Sequence, residues 1–143
     1  MDRREFKTSL YKEMSGMTKA LGNPHRLEIL DLLAQGSVPV EYIAVHTNLT
    51  IANASQHLQV LKHANLVESD KRGKYNYYKL ANRQVFVAWC ALRRLGFSQN
   101  EKIIDLYNDF LHYVTTHIGY HSHQKSYNIR HLDDHSPHHP IVV

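Results

Sequence analysis

Histidine and cysteine are the residue types of this chain that could do metal or redox chemistry. Its 143 residues include twelve histidines but a single cysteine, which excludes an intramolecular disulfide framework and any zinc site built from several thiolates. Imidazole binds Zn, Ni, Co and Cu, and residues four apart share one face of a helix. His117 and His121 have that spacing and are candidate metal ligands; Asp109, His112 and His123 are weaker candidates.

Each of these residues also has an interpretation without chemistry. His112 could simply be solvated, and His117 could pack against or cap the end of a helix. The six histidines of residues 121–143 are irregularly spaced, and we expect them to bind metal weakly or not at all. Cys90 lies between apolar neighbours, which predicts a packed, inert thiol; an oxidisable thiol or a disulfide between subunits is the alternative.

A second group of residues could read DNA. A helical projection of residues 51–63 separates a polar, uncharged face from an apolar one. The polar face holds Ala52, Asn53 and Gln56, with His57 and Gln59 on its flanks, and the apolar face holds Ile51, Ala54, Leu58 and Leu61. Asn and Gln can form two hydrogen bonds with the edge of an adenine, which suits the major groove of DNA. On an isolated helix the same amides would more often be merely solvated. The choice between solvation and DNA recognition therefore depends on the neighbouring elements.

Those neighbouring elements follow from apolar periodicity, capping residues and turn signals. The predicted helices span about 3–21, 24–35, 40–46, 51–63, 83–95 and 99–118, and the predicted strands span 66–71 and 74–80. Asn23, Thr50 and Asn82 are the expected N-caps, Gly96 is the expected end of the fifth helix, and Ser98-x-x-Glu101 is read as a capping box for the last. The order α-α-α-α-β-β-α-α is mainly α with a small β-hairpin.

Two short helices joined by a tight turn, with a basic hairpin directly after the second, form a winged helix-turn-helix. Lys71, Arg72 and Lys74 surround the tip of that hairpin. Beside a recognition helix, three cations at one tip predict contacts with phosphates or the minor groove. The formal charge of +4 is compatible with a nucleic-acid binder without requiring one.

Composition and targeting signals bound the remaining possibilities. An apolar share of 43% is enough for a packed core. We expect residues 1–118 to form a DNA-binding and dimerisation domain and residues 119–143 to be a His-rich, disordered tail. The N-terminus has no apolar signal region, and the longest apolar run is far too short to cross a bilayer. The sequence therefore predicts a cytoplasmic protein without membrane contact.

Several segments together resemble the ArsR/SmtB family of bacterial repressors. They are LGNPHRLEIL at 21–30, NLTIANASQHLQVL at 48–61, Leu66-Val67 and residues 73–80. The resemblance covers roughly residues 3–118 and is greatest to members in which the domain is fused to a rhodanese domain. We expect no such domain here, because 25 residues follow Ile118.

The resemblance implies a symmetric dimer, held by its first and last helices, that binds a two-fold operator and leaves it when an inducer binds. The sequence supports dimerisation independently, because both of those helices have more apolar face than the core can cover. In the family, DNA contacts come from the start of the recognition helix. These positions are Thr50, Ile51, Ala52, Asn53, Ser55 and Gln56 here.

The family's sensor sites carry over poorly. Its thiolate site near the third helix and its paired-cysteine switch need thiols that this chain lacks. Its zinc-type site has an Asp and a His two apart, a His eleven residues later, and a His or Glu three further. His112 and His123 have the eleven-residue spacing, but Phe110 and Ser126 occupy the outer positions. The candidate histidines of the chain make zinc or another divalent transition metal a candidate cofactor.

Two other classes of function compete with a repressor. A His-rich protein for metal storage or delivery would use the tail histidines, but it would not need the hairpin cations or the exposed Asn53 and Gln56. An enzyme would need a nucleophile, paired carboxylates or a Gly-rich phosphate loop beside a histidine base. The sequence places none of these suitably, so we predict that the chain is not an enzyme.

Overall fold

The computed structural model describes residues 2–117, with the backbone alone for Val114, Thr115 and His117. The chain divides into two compact units, one ending at Asn100 and the other beginning at Glu101. In chain order the elements are α1 (Arg3–Leu21), α2 (Pro24–Ala34), β1 (Val38–Pro39), α3 (Val40–His46), α4 (Ile51–His63), β2 (Val67–Arg72), β3 (Tyr75–Leu80), α5 (Arg83–Ser98) and α6 (Glu101–His117). The mainly α, winged helix-turn-helix prediction is confirmed.

The predicted helix starts are formed by side-chain caps. Asn23 accepts a hydrogen bond from the Arg26 amide at 3.2 Å, and Pro24 occupies the first helical position of α2. Thr50 caps α4 in the same way at 3.1 Å, and Asn82 caps α5 at 3.0 Å. Each cap satisfies an amide that has no partner within its own helix, so these local sequences begin helices at defined residues.

The predicted boundary between the last two helices is wrong. Helix α5 continues through Gly96 to Ser98, whose hydroxyl donates to the Leu95 carbonyl at 2.8 Å. Ser98 therefore ends α5 and is not the N-cap of a capping box. A glycine costs a helix only about 1 kcal/mol, and beyond it the ring of Phe97 lies 5.8 Å from the Arg93 guanidinium.

The sheet has one strand that the sequence did not predict. Its order is β1-β3-β2 and both pairings are antiparallel, with Val38 opposite Tyr78 and Val67 opposite Leu80. Strand β1 has two residues, Val38 and Pro39, which is too short for any alternation to be visible. Its edge position suits proline, which cannot donate to a neighbouring strand. The central strand β3 thereby joins the hairpin to the segment that leads into α3.

The core of the first unit is formed by the inner faces of α2, α3, α4 and the sheet. Its largest fully buried side chains are Ile29, Leu30, Ile43, Leu58, Leu61 and Val67. Helix α1 is attached through Arg26, whose guanidinium donates to the carbonyls of Ala20 and Lys19 at the end of that helix. The buried side chains of α4 fix this helix on the body of the unit, and its outer face remains exposed.

Two helices have apolar stripes that remain exposed. In α1, Phe6, Leu10, Met14 and Met17 are 39–54% exposed. In the second unit, α6 exposes Ile103, Leu106, Phe110, Leu111 and Tyr113. No helix within residues 2–117 is both long and apolar enough to span a membrane.

Candidate nucleic-acid interface

The turn between α3 and α4 is closed by local hydrogen bonds. Asn48 has a φ of 52°, a left-handed conformation that asparagine tolerates better than most residues. The Leu49 amide donates to the Ala44 carbonyl at 2.9 Å, and the buried Thr47 hydroxyl donates to the Ile43 carbonyl at 2.8 Å. The turn therefore holds the start of α4 in a defined direction at the protein surface.

The outward face of α4 matches the predicted polar face. Ala52, Asn53 and Gln56 are exposed, and Ser55 is half-buried. The Thr50 side chain is also exposed and accepts from the Asn53 amide nitrogen, which leaves the Asn53 side chain available. Two amide groups are thus presented in the first two turns of a short helix, and the major groove of DNA is wide enough to admit a helix.

One prediction for this helix is wrong. The helical projection predicts that Ile51 packs with Ala54, Leu58 and Leu61, but it is 52% exposed while the other three are fully buried. Ile51 is the first residue of α4, and the helix reaches the core only one turn later, at Ala54. Its apolar side chain therefore belongs to the outer surface of the helix-turn-helix.

His57 lies at the edge of this face, half-buried between α4 and the start of α2. Its ring centroid is 5.6 Å from that of His25, and the two rings are tilted by 38°. Burial lowers the pKa of His57, and the positive charge of Arg26 and the neighbouring His25 lower it further. These effects favour the neutral imidazole more than in a freely solvated histidine.

The wing is the hairpin of β2 and β3. Its predicted cations are all exposed, but their surroundings differ. Arg72 Nε lies 2.7 Å from Asp70 Oδ2, and its guanidinium lies 4.6 Å from the Tyr77 ring centroid. Lys74 Nζ lies 5.1 Å from the Tyr75 ring centroid. Among the residues that the structure describes, no hydrogen bond or ion pair engages Lys71. The wing therefore offers Lys71 and Lys74 directly, whereas the charge of Arg72 is shared with a carboxylate.

Other contacts that shape the interface were not predicted from the sequence. Lys62 Nζ donates to Ser69 Oγ at 2.8 Å and so ties the end of α4 to strand β2 of the wing. Lys79 and Glu68 form a 2.9 Å ion pair across β2 and β3, and this pairing raises the pKa of Lys79. The Glu68–Lys79 pair could have been found from the hairpin register, since the two residues are opposite each other. No sequence signal marks the Lys62–Ser69 contact.

The candidate metal ligands are only partly described. Asp109 and His112 are exposed on α6. His117 belongs to that helix, but its side chain, together with His121 and His123, lies outside the described residues. Within residues 2–117, no three His, Cys, Asp or Glu side chains are grouped closely enough to hold a metal ion. A tetrahedral zinc site uses four ligands, so Asp109 and His112 do not form such a site by themselves.

Cys90, the redox candidate, is half-buried on α5 as a free thiol. Its reactivity stays a prediction.

Comparison with known proteins identifies relatives among transcriptional regulators. Residues 23–69 match the family model described as bacterial regulatory protein, arsR family. The chain is 44% identical over 79 residues to the HTH-type transcriptional regulator Rv0324 of Mycobacterium tuberculosis, a match that covers 55% of this chain and 35% of that protein. It is 37% identical over 67 residues to the transcriptional repressor SdpR of Bacillus subtilis, covering 47% of this chain and 74% of the repressor.

The fold is similar to solved structures of the same type. A homodimeric winged helix-turn-helix DNA-binding domain from Mycobacterium bovis superposes with a TM-score of 0.64 at 37% identity, covering 69% of this chain and 89% of that domain. The chain spans about a third of the Mycobacterium tuberculosis relative but most of the Bacillus subtilis repressor. The similarity therefore concerns the DNA-binding domain.

Proposed function

Since the chain belongs to the ArsR family of bacterial regulatory proteins, we propose that it acts as a homodimeric repressor that binds a two-fold symmetric DNA operator and leaves it when an inducer binds. The observation that carries the proposal is the α3–turn–α4 surface, where α4 presents an exposed amide face and is joined at its C-terminal end to the cationic wing through Lys62 and Ser69. Amides suit base edges, and exposed cations suit phosphates. The matched relatives are transcriptional regulators, and we propose no enzymatic activity.

The proposed contacts divide into two kinds. Asn53 and Gln56 read base edges in the major groove, with Thr50, Ile51, Ala52, Ser55 and His57 around them. Lys71 and Lys74 contact phosphates or the minor groove at the wing, and Arg72 joins them by exchanging its Asp70 partner for DNA. Such a division predicts that the helix determines sequence choice and that the wing determines overall affinity and its dependence on salt.

Dimerisation is supported by the exposed stripe of α1. An apolar helix face that the core leaves uncovered is typical of an interface, and a two-fold dimer covers the same patch on both subunits. Two recognition helices related in this way enter successive major grooves about 34–36 Å apart. The exposed apolar residues of α6 are the second candidate surface. A DNA-binding regulator works where the chromosome is, so we propose a cytoplasmic location.

The proposal is tested by DNA binding as a function of salt. A duplex is selected by the full chain from a pool of random 30-base-pair sequences, and its affinity is measured by fluorescence anisotropy from about 50 to 200 mM salt. We expect one dimer per duplex and a steep, linear fall of log affinity with log salt. A protein that ignores DNA at about 50 mM salt but holds several metal ions would instead be the His-rich storage protein.

The same selected duplex is used to identify the inducer. The complex is titrated with Zn, Ni, Cu, Cd, arsenite, peroxide and sulfide donors. Release by zinc that survives deletion of residues 122–143 would assign sensing to the histidines at 112, 117 and 121 rather than to the tail. Release by peroxide that is lost on Cys90→Ser would assign it to the thiol.

A further inference from the structure

An apolar groove lies at the turn between α3 and α4, and two of the proposed DNA contacts, Thr50 and Ile51, line it. Ala44, Val45, Leu49 and Ile51 supply its apolar lining. Val45 is 77% exposed and Ile51 is 52% exposed. These side chains adjoin one another across the turn, so they form a patch rather than isolated apolar residues, and a patch is the feature that points to a partner.

The polar groups of the groove argue against a phosphate as its occupant. Among the described residues that line it, Glu41 is the one with a charge, and that charge is negative. One carboxylate oxygen of Glu41 is buried and has no hydrogen-bond partner within the described part of the chain. A phosphate would therefore meet repulsion and apolar surface instead of cations.

The groove is continuous with the face that reads DNA. Ile51 lines the groove and also begins α4, one residue before the exposed Ala52 and two before Asn53. An element that enters the major groove at this face brings the apolar patch against base edges as well. Among the four bases, thymine is the one that carries an apolar group there, the 5-methyl group.

We infer that this groove receives thymine 5-methyl groups, so that operator choice depends on thymine at the positions facing the first turn of α4. Ile51 and Val45 are the residues that make the contact, and Leu49 lines the groove with them. The inference rests on the proposed function, because it needs α4 to enter the major groove. It adds a specificity determinant that needs no hydrogen bond.

Replacing thymine by deoxyuridine tests the inference, because that change removes the methyl group and leaves the base pairing intact. Each thymine of the selected duplex is replaced in turn, at symmetric positions of both half-sites. Burying one methyl group contributes enough for about a fourfold change in affinity. We expect about a 16-fold loss of affinity for a symmetric pair of replacements at the sensitive position, because the pair removes two methyl groups.

Variants then assign the effect to the groove. Ile51→Ala and Val45→Ala should each reduce the discrimination between thymine and deoxyuridine at that position, and the double variant should abolish it. Val60→Ala is the matched control. Val60 is an exposed valine on the same helix, and nine residues after Ile51 it points to about the opposite side, so its loss should leave the discrimination unchanged.

The outcomes separate the inference from the proposed function. A full chain that binds no duplex overturns the proposed function. A full chain that binds the selected duplex but tolerates deoxyuridine everywhere, or whose discrimination is unaffected by Ile51→Ala and Val45→Ala, overturns the inference alone. If those variants instead change the oligomeric state in sedimentation equilibrium while discrimination persists, the groove is a protein contact and the inference is wrong.

Discussion

Helices α4 and α1 carry apolar stripes of the same kind, but only one of them is covered. In α4 the stripe Ala54, Leu58 and Leu61 is fully buried against the body of the domain. In α1 the stripe Phe6, Leu10, Met14 and Met17 is 39–54% exposed, and Ala20 near its end is the one buried residue within that helix. The same periodicity therefore has two outcomes: it fixes α4 on the body of the domain and leaves the stripe of α1 exposed in the part of the chain that the structure describes.

The uncovered stripe of α1 has an energetic consequence. Burying a Leu or Met side chain stabilises a protein by about 1.5–3 kcal/mol, so the uncovered stripe of α1 represents several unused contributions of that size. Its attachment through Arg26 and the Ala20 and Lys19 carbonyls fixes only the C-terminal end of the helix. Dimerisation that covers α1 would therefore add stability that depends on protein concentration, whereas the stability due to α4 would not.

The largest expected effect comes from shortening a side chain in the covered stripe. Leu58→Ala should lower the free energy of unfolding by about 2–5 kcal/mol, because Leu58 is 0% exposed and its loss leaves a cavity. Urea denaturation measures the change at two protein concentrations, and the loss should be the same at both. Val60→Ala, on the exposed side of the same helix, should change stability by about 0.5 kcal/mol or less. A loss below about 1 kcal/mol for Leu58→Ala would contradict the assignment of this stripe to the core.

A charge in the uncovered stripe should act on assembly rather than on folding. Leu10→Asp should weaken the dimer by about 3–6 kcal/mol, since one Leu contribution is lost on each of two subunits. Sedimentation equilibrium measures the dissociation constant, and far-UV circular dichroism checks that the helices persist. Thr8→Asp adds the same charge on about the opposite side of α1 and should leave the dimer intact. If both variants stay dimeric, the stripe is not the interface.

The outward face of α4 should discriminate between DNA sequences, whereas the wing should not. Asn53→Ala should cost about 1–3 kcal/mol at the preferred sequence and relax the choice of base there. Lys71→Ala should weaken every duplex alike and reduce the salt slope by about one for each wing that contacts a phosphate. Anisotropy on the selected duplex and on a shuffled one separates the two behaviours. Identical profiles for both variants would contradict the division between base and phosphate contacts.

The predictable part of the fold is the part with local signals. Caps at Asn23, Thr50 and Asn82 and the 3.6-residue periodicity located the helix starts, and projection of α4 placed Asn53 and Gln56 on the surface. Strand β1 is not predictable from such signals, because a segment of two residues is too short to show an alternation of apolar and polar side chains.

The exposure of Ile51 was missed for a different reason. Projection describes faces of a helix and not where the helix leaves the core. The contacts His25–His57 and Lys62–Ser69 come from packing, which no local pattern contains.

The smallest expected effect concerns the flank of α4, where His57 meets α2. In the folded chain the pKa of His57 is lowered by burial, by Arg26 and by His25, whereas in the unfolded chain the imidazole keeps its ordinary value. As pH falls, the unfolded chain takes up this proton first, so the wild type loses stability through the range just below the ordinary histidine pKa.

The stability of His57→Gln should fall less than that of the wild type between pH 7.5 and pH 5.5, whereas His63→Gln, at an exposed position of the same helix, should follow the wild type. Urea denaturation across that range provides the measurement. An equal fall for wild type and His57→Gln would mean that the α2–α4 contact opens easily. The difference between α4 and α1 would then concern only their apolar stripes, of which the first is buried and the second exposed.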